Sequence, residues 1–225
     1  MLYLSPLSSD LMTIRHPLLG CMRTPDNNRN VPTGVPWAAD CGISMAASSD
    51  PTDIARYLAW LDSLDRTGCL FAVTPDVLGD AEACWRRSAP LLPKIRALGY
   101  RAAFVAQDGF DARAVEWDAF DVLFIGGAPR SGLRTMAPNE RQREIAQEWK
   151  RSEMGGYAAV REGKRQGKWV HVGRVNGGPF LRNLASAGAD SADGTTLTWR
   201  SLRGRALGWL DNLAMQPPLH LEAIV

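Results

Sequence analysis

The sequence predicts a (β/α)8 barrel of the TIM type, formed by one α/β domain that spans residues 1–225. Short apolar runs that suit buried strands alternate with segments of helical pattern, which is the order of parallel β/α units. The length of 225 residues also falls within the range of about 200 to 250 residues expected of a compact barrel. A doubly wound open sheet is the alternative fold.

Seven runs are predicted as strands, of which the last is weak, and five segments as helices. The strands are Met1–Leu4, Val35–Ala39, Leu70–Val73, Ala102–Ala106, Val122–Ile125, Trp169–Val172 and a weak run near Ala189. The helices are Pro51–Leu64, Ala81–Leu98, Asn139–Lys150, Gly155–Gln166 and Pro179–Ala187. The segment Cys21–Pro36, rich in Asn and Pro, is predicted as a long loop and as a candidate active-site lid.

Composition indicates a soluble globular protein, with 45% hydrophobic and 22% charged residues. We expect a cytoplasmic location, because no apolar run approaches the roughly 20 residues of a membrane helix. The four cysteines, Cys21, Cys41, Cys69 and Cys84, include no Cys-x-x-Cys pair. This spacing favours reduced, mostly buried thiols over a zinc site or a disulfide framework.

Basic residues are concentrated in one third of the chain, although the net charge is only +2. Such a run predicts either a nucleic-acid surface or a solvated helix face, and charge alone leaves both open. The residues are Arg141, Arg143, Lys150, Arg151, Arg161, Lys164, Arg165, Lys168 and Arg174, followed by Arg200, Arg203 and Arg205.

Polar residues follow most of the predicted strands, where a barrel carries its chemistry. They are Asp40, Asp76, Gln107, Gly126-Gly127, Gly173-Arg174, Asp190 and Asp193. Each aspartate alone is explained equally well as a helix cap or turn residue. Together with an amide, the carboxylates match the donors and acceptors of a purine-like base.

The order of these motifs resembles the tRNA-guanine transglycosylase superfamily, and more narrowly its short, phage-associated DNA 7-deazaguanine transglycosylases. The similarity runs from about Ala38 to Thr195. It consists of Asp40-Cys41-Gly42, Pro75-Asp76, Val105-Ala106-Gln107-Asp108-Gly109, Ile125-Gly126-Gly127, His171-Val172-Gly173-Arg174-Val175 and Gly188-Ala189-Asp190-Ser191-Ala192-Asp193.

The resemblance implies a role for each matching residue. Asp193 corresponds to the covalent nucleophile and Asp40 to the proposed general acid/base. Base recognition falls to Asp76, Gln107 and the backbone of Gly126 and Gly127. Gly173 and Arg174 are expected at the same substrate site, and Asp190 is expected to support the strand end.

Two departures from the family pattern matter, and the first, the missing zinc site, favours DNA over tRNA as the substrate. Nothing after Cys84 can form the family's C-terminal zinc site of three cysteines and a histidine, so we expect a compact barrel without the zinc subdomain. The early motif also continues with Cys41-Gly42-Ile43 where the family has Ser-Gly-Gly, which changes the surroundings of Asp40.

The resulting hypothesis is a base-exchanging pentosyltransferase that replaces guanine in DNA with a 7-deazaguanine base such as 7-cyano-7-deazaguanine. It needs no metal or cofactor, and it would act in the host cytoplasm if phage-encoded. Lys164, Arg165, Lys168, Arg200 and Arg203 are the predicted DNA contacts. Trp149, Trp169 and Trp199 either hold an opened strand or belong to the core, and no catalytic role is expected for His16, His171 or His220.

Three alternatives stay open: a tRNA-acting relative, a glycosylase that uses water as the acceptor, and a binding barrel without catalysis.

Overall fold

The computed structural model describes residues 1–8, 11–42, 50–127 and 149–215. Within them, eight parallel strands follow one another in sequence order around a closed barrel, and the last strand pairs with the first. The predicted (β/α)8 barrel is therefore confirmed, and the open-sheet alternative is wrong. We call the end where the strands finish the carboxyl face and the opposite end the amino face.

The strands are short and most of their residues are buried, as in a filled barrel. They are β1 Leu2–Pro6, β2 Leu19–Arg23, β3 Trp37–Ala39, β4 Cys69–Val73, β5 Ala102–Ala106, β6 Val122–Ile125, β7 Trp169–Val172 and β8 Ser191–Asp193. Helices in the described part are α1 Pro51–Asp62, α2 Ala81–Ser88, α3 Leu92–Ala97, α4 Gly156–Arg165, α5 Gly178–Ser186 and α6 Arg200–Ala214.

The predicted loop Cys21–Pro36 is wrong at its start, because Leu19–Arg23 forms β2. This strand pairs with β1 through Tyr3 and Leu19 and with β3 through Cys21 and Trp37, and all five of its residues are buried. Its sequence, Leu-Gly-Cys-Met-Arg, lacks a clear apolar pattern. Pairing on both sides fixes the strand here, which local propensity could not predict.

The predicted helix Ala81–Leu98 is two helices, α2 and α3. Pro90 and Pro93 lie at and just after the break, and proline removes a backbone donor and collides with the preceding helical turn. The chain therefore stops α2 at Ser88 and restarts α3 at Leu92.

One helix was not predicted from the sequence, and one predicted helix falls almost wholly outside the described residues. Helix α6, which the sequence reading missed, packs Ala206, Leu210 and Leu213 into the core. The predicted helix Asn139–Lys150 lies outside the described residues, apart from Trp149 and Lys150.

The described cysteines are unpaired, with Cys21, Cys41 and Cys84 buried and Cys69 half-buried, as expected of reduced thiols. Among the helices that the structure describes, none has the length and apolar character needed to span a bilayer.

Candidate active site

A cavity opens on the carboxyl face of the barrel. The walls come from the ends of β3 to β8, because parallel strands bring their carboxyl ends to the same face. The lining comprises Asp40, Gly42, Val73, Asp76, Val105, Gln107, Phe124, Gly126, Gly127, Gly173, Arg174 and Asp193.

All of the predicted catalytic and substrate-binding residues lie in this lining. They are Asp193, Asp40, Asp76, Gln107, Gly126, Gly127, Gly173 and Arg174. The barrel thus brings together motifs that are separated by up to 153 positions in the sequence, from Asp40 to Asp193. Proximity supports a shared site and leaves the individual roles to experiment.

Asp193 ends β8 and is held at both carboxylate oxygens. Its Oδ1 lies 3.0 Å from His171 Nε2, and its Oδ2 accepts a hydrogen bond of 3.3 Å from the backbone N–H of Arg174. Only 18% of the side chain is exposed. The carboxylate is therefore anchored in one orientation while still facing the cavity.

Asp40 follows β3 and differs in environment from Asp193. Burial raises the pKa of Asp40, and the nearby charge of Asp193 raises it further, whereas a hydrogen bond of 3.0 Å from Gly42 N and the charge of Arg174 oppose the increase. A carboxyl group of this kind keeps its proton to higher pH, as a general acid requires.

Asp76 and Gln107 form a fixed pair on the opposite wall. Gln107 Oε1 accepts from Gly79 N at 3.2 Å and from Gly127 N at 3.1 Å, so its Nε2 must be the atom that donates to Asp76 Oδ2. Gln107 is almost fully buried. Burial and then the charge of Asp40 raise the pKa of Asp76. The contact with Gln107 therefore fixes one carboxylate oxygen of Asp76 in the lining of the cavity.

Gly126 and Gly127 have only part of their backbone available for the predicted recognition of a base. Their N–H groups are already bound, Gly126 N to Ala106 O at 2.9 Å and Gly127 N to Gln107 Oε1. Gly126 also leaves necessary room, because a Cβ there would lie 2.6 Å from Gln107 Nε2. The pair can therefore offer carbonyl oxygens and space to a base, while its N–H donors shape the wall.

Gly173 and Arg174 support Asp193 from β7. A Cβ on Gly173 would lie 2.6 Å from the Phe124 ring and 3.3 Å from Asp193 Oδ1, so only glycine allows this approach. Arg174 has a positive φ of 57°, an uncommon conformation for a residue with a side chain. This conformation turns its N–H towards Asp193.

Lys150 is a site residue that the sequence reading placed only in the basic cluster. Its Nζ donates to Gly173 O at 2.8 Å, and its stem packs beside Gly127. Burial lowers the pKa of Lys150 to about 8, against the raising effect of Asp193. A lysine whose pKa lies closer to neutrality than usual is therefore near enough to Asp193 to feel its charge.

No catalytic role was expected for His171, and the structure places it in direct contact with Asp193. The imidazole is fully buried between the rings of Phe71 and Phe124, at centroid distances of 5.1 and 4.5 Å. Its other nitrogen, Nδ1, lies 2.8 Å from Ser191 Oγ. The signal in the sequence was the shared alternation of the two strands, since His171 pairs with Ser191 and Asp193 follows on the same side.

Three of the predicted DNA contacts lie at the amino face, away from the cavity. Lys164, Arg165 and Lys168 occupy the end of α4 and the turn before β7. Lys164 pairs with Asp190 at 2.7 Å, Arg165 pairs with Glu162 at 2.6 Å, and Lys168 lies over the Phe120 ring. We therefore exclude these three residues from any surface that holds DNA over the cavity.

Asp190 shares this position at the amino face, because it precedes β8. It accepts from Val170 N at 2.7 Å and so supports the strands, but at their start and not at their end as expected. By contrast, Arg200 and Arg203 begin α6, soon after β8, on the carboxyl side. Trp199 beside them is 62% exposed, whereas Trp149 and Trp169 pack against the core.

In the described part of the chain, no group of three or more His, Cys, Asp and Glu side chains is arranged to hold a metal ion.

Comparison with known proteins identifies no family for this chain. No family model matches the sequence. No curated protein matches it. One similar solved structure is a putative phosphonomutase from Burkholderia cenocepacia J2315, at 16% identity and a TM-score of 0.43, with 96% of this chain and 94% of that chain covered. Another is the PaMucR phosphodiesterase in complex with c-di-GMP, at 17% identity and a TM-score of 0.37, with 76% of this chain covered. The chain spans 61% of the length of that phosphodiesterase.

Proposed function

We propose that this protein is an enzyme that exchanges guanine in DNA for a 7-deazaguanine base through a covalent glycosyl-aspartate on Asp193. The observation that carries the proposal is the pair of unlike carboxyl groups in one cavity. Asp193 is a hydrogen-bonded carboxylate, and the raised pKa of Asp40 favours its protonated form. Retaining glycosidases divide nucleophile and acid between two carboxyl groups in this way.

In the first displacement, an oxygen of Asp193 attacks C1′ of the deoxyribose. The C1′–N9 bond breaks, its electron pair goes to guanine, and Asp40 supplies the proton that neutralises the departing base. The products are free guanine, a glycosyl ester on Asp193 and an ionised Asp40.

In the second displacement, N9 of the incoming base attacks C1′ and Asp193 leaves as a carboxylate. Asp40 takes the proton that N9 loses, so both residues return to their starting states. Two inversions at C1′ give overall retention, and the DNA backbone is never cut.

The opposite wall suits base recognition. Guanine and 7-cyano-7-deazaguanine share the same 2-amino, N1–H and O6 edge, so a single pocket can hold each in turn. In this proposal, Asp76 accepts from this edge through Oδ1, because Oδ2 is bound to Gln107. An ordered acceptor of this kind selects a base that carries donors at N1 and N2.

The target nucleotide must leave the duplex to reach the cavity, at a cost of a few kcal/mol. Arg174, Arg200 and Arg203 offer positive charge on the carboxyl side, and exposed Trp199 offers a ring on which an adjacent base can stack. We propose this set as the DNA-contacting surface.

Incubation with DNA that carries radiolabelled guanine, with and without 7-cyano-7-deazaguanine, tests the proposal. We expect release of labelled guanine matched by incorporation of the deazaguanine base. Abasic DNA without incorporation would instead identify a glycosylase, and the absence of any release would indicate a binding protein. The same assay with tRNA separates the two nucleic acids.

A further inference from the structure

A hydrogen-bonded chain runs through the barrel core to the carboxylate of Asp193. Trp169 Nε1 donates to Ser191 Oγ at 2.9 Å, Ser191 Oγ lies 2.8 Å from His171 Nδ1, and His171 Nε2 lies 3.0 Å from Asp193 Oδ1. Strands β7 and β8 supply all four residues at alternate positions. The hydrogen-bonded chain therefore forms because these alternate side chains lie on the same side of the two neighbouring strands.

The indole N–H fixes the direction of the chain. An indole nitrogen only donates, so Ser191 Oγ accepts from Trp169 and still has one proton to give. If that proton goes to Nδ1 of His171, the ring carries its own proton on Nε2 and donates it to Asp193. Every polar hydrogen then has an acceptor, as buried groups require.

The other two protonation states of the His171 ring leave polar groups without a hydrogen-bond partner. With the proton on Nδ1, the lone pair of Nε2 would face the carboxylate of Asp193. With both nitrogens protonated, Ser191 Oγ would accept twice, and among the described residues nothing else receives its hydroxyl proton.

We infer that Trp169 and Ser191 hold His171 as the Nε2–H tautomer, and that His171 thereby positions Asp193 with Oδ2 towards the substrate. In its application to turnover, this inference rests on the proposed function. His171 touches no substrate and acts through Asp193, so it is a positioning residue.

The hydrogen bond from His171 reaches Oδ1 of Asp193, so removal of His171 should affect the two displacements unequally. When Oδ2 carries the sugar, Oδ1 becomes the ester carbonyl and keeps the His171 proton. As the ester breaks, negative charge returns to the carboxylate and this hydrogen bond strengthens. Loss of His171 should therefore slow departure of Asp193 more than its attack, so that covalent adduct accumulates.

Nitrogen-15 NMR of histidine-labelled protein tests the tautomer without any reference to activity. The protein has three histidines, and the signal that is lost in a His171→Gln variant identifies the resonance of His171. We expect the Nε2–H form in the wild type and its loss or mixture with the Nδ1–H form in Ser191→Ala. An Nδ1–H ring or an imidazolium in the wild type would overturn the inference even if base exchange is observed.

Trp169→Phe tests the far end of the chain, and Trp60→Phe is its matched control. The indole nitrogen of Trp60 is buried without a hydrogen-bond partner, so its removal breaks no bond. We expect a mixed His171 tautomer in Trp169→Phe and the wild-type spectrum in Trp60→Phe. Identical spectra for the two variants would exclude Trp169 from the chain.

Kinetics separate positioning from a purely structural role. His171→Phe fills the slot between Phe71 and Phe124 without a donor, and His171→Gln restores an N–H near the position of Nε2. We expect turnover of His171→Phe to fall about 10- to 100-fold while the trapped adduct fraction rises, with partial recovery in His171→Gln. A parallel fall of turnover and adduct, or no recovery with Gln, would contradict the inference. If wild-type protein exchanges no base, the proposed function fails and the NMR result still decides the tautomer.

Discussion

The two faces of the barrel use aspartate in opposite ways. At the amino face, Asp121 pairs with Arg96 and Asp190 pairs with Lys164, and each aspartate also accepts a backbone N–H from the neighbouring strand. The same arrangement, an aspartate bound by both a cation and a backbone N–H, thus occurs before β6 and before β8. These charges are matched within the fold and need no ligand.

At the carboxyl face, hydrogen bonds order the carboxyl groups, while Lys150 and Arg174 contribute positive charge nearby. Asp40, Asp76 and Asp193 form no ion pair with Lys or Arg among the residues that the structure describes. Instead, backbone groups, Gln107 and His171 fix their orientation. The difference teaches that partners, rather than residue type, separate structural from functional aspartates in this barrel.

The pair Asp193 and Asp190, three positions apart, gives the largest contrast. We expect Asp193→Asn to lower base exchange by about 10,000-fold or more, because an amide cannot act as the nucleophile. Asp190→Asn should lower the melting temperature and leave turnover within about threefold of the wild type, since it weakens only the pair with Lys164. Steady-state kinetics and thermal denaturation check both. Equal losses of activity in the two variants would remove the distinction between the faces.

Asp40 should produce the next largest effect. Asp40→Asn removes the proton donor and should slow release of guanine by about 100- to 10,000-fold. A base that leaves without protonation should recover much of this loss in Asp40→Asn and none in Asp193→Asn. The raised pKa of Asp40 means that wild-type release falls as pH rises through that pKa, because the acid form is lost. Pre-steady-state release across pH tests this, and an alkaline fall that persists in Asp40→Asn would point to another acid.

DNA binding should distinguish the arginines of the carboxyl face from the lysine-rich amino face. We expect combined Arg174→Ala, Arg200→Ala and Arg203→Ala to weaken binding and to reduce the slope of log affinity against log salt by about 0.9 for each lost phosphate contact. Combined Lys164→Ala, Arg165→Ala and Lys168→Ala should leave the slope unchanged. DNA-binding titrations at several salt concentrations measure both slopes. A reduced slope for the lysine-containing variant and an unchanged slope for the arginine variant would place DNA at the amino face.

The smallest effect is expected for Lys164→Met on stability. The pair with Asp190 is partly exposed, so its loss should cost about 0.5 to 1 kcal/mol, or about 1 to 4 °C in melting temperature. Asp190 keeps its bond from Val170 N, which limits the loss. A change in base exchange beyond the loss of folded protein would contradict a purely structural role.

The sequence predicted the barrel because apolar runs mark most of its strands, and Ala102–Ala106, Val122–Ile125 and Trp169–Val172 match the structure in both bounds. It missed β2, whose mixed residues form a strand only through pairing on both sides.

Residues at strand ends were equally predictable as a group, because parallel strands finish at one face. Their partners were not, since the contact of His171 with Asp193 and the pairing of Lys164 with Asp190 depend on the register of β7 with β8 and on the placement of α4. Lys150 was missed for the same reason, as only the fold places its ammonium group beside Gly173.

The central claim is that Asp193 becomes covalently bound to the sugar. Peptide mapping by mass spectrometry, after incubation with guanine-containing DNA in the absence of an incoming base, tests it most directly. We predict a deoxyribose-linked peptide with the modification on Asp193, and its disappearance when 7-cyano-7-deazaguanine is added. A modification on Asp40 or Asp76, or guanine release without any adduct, would contradict the account.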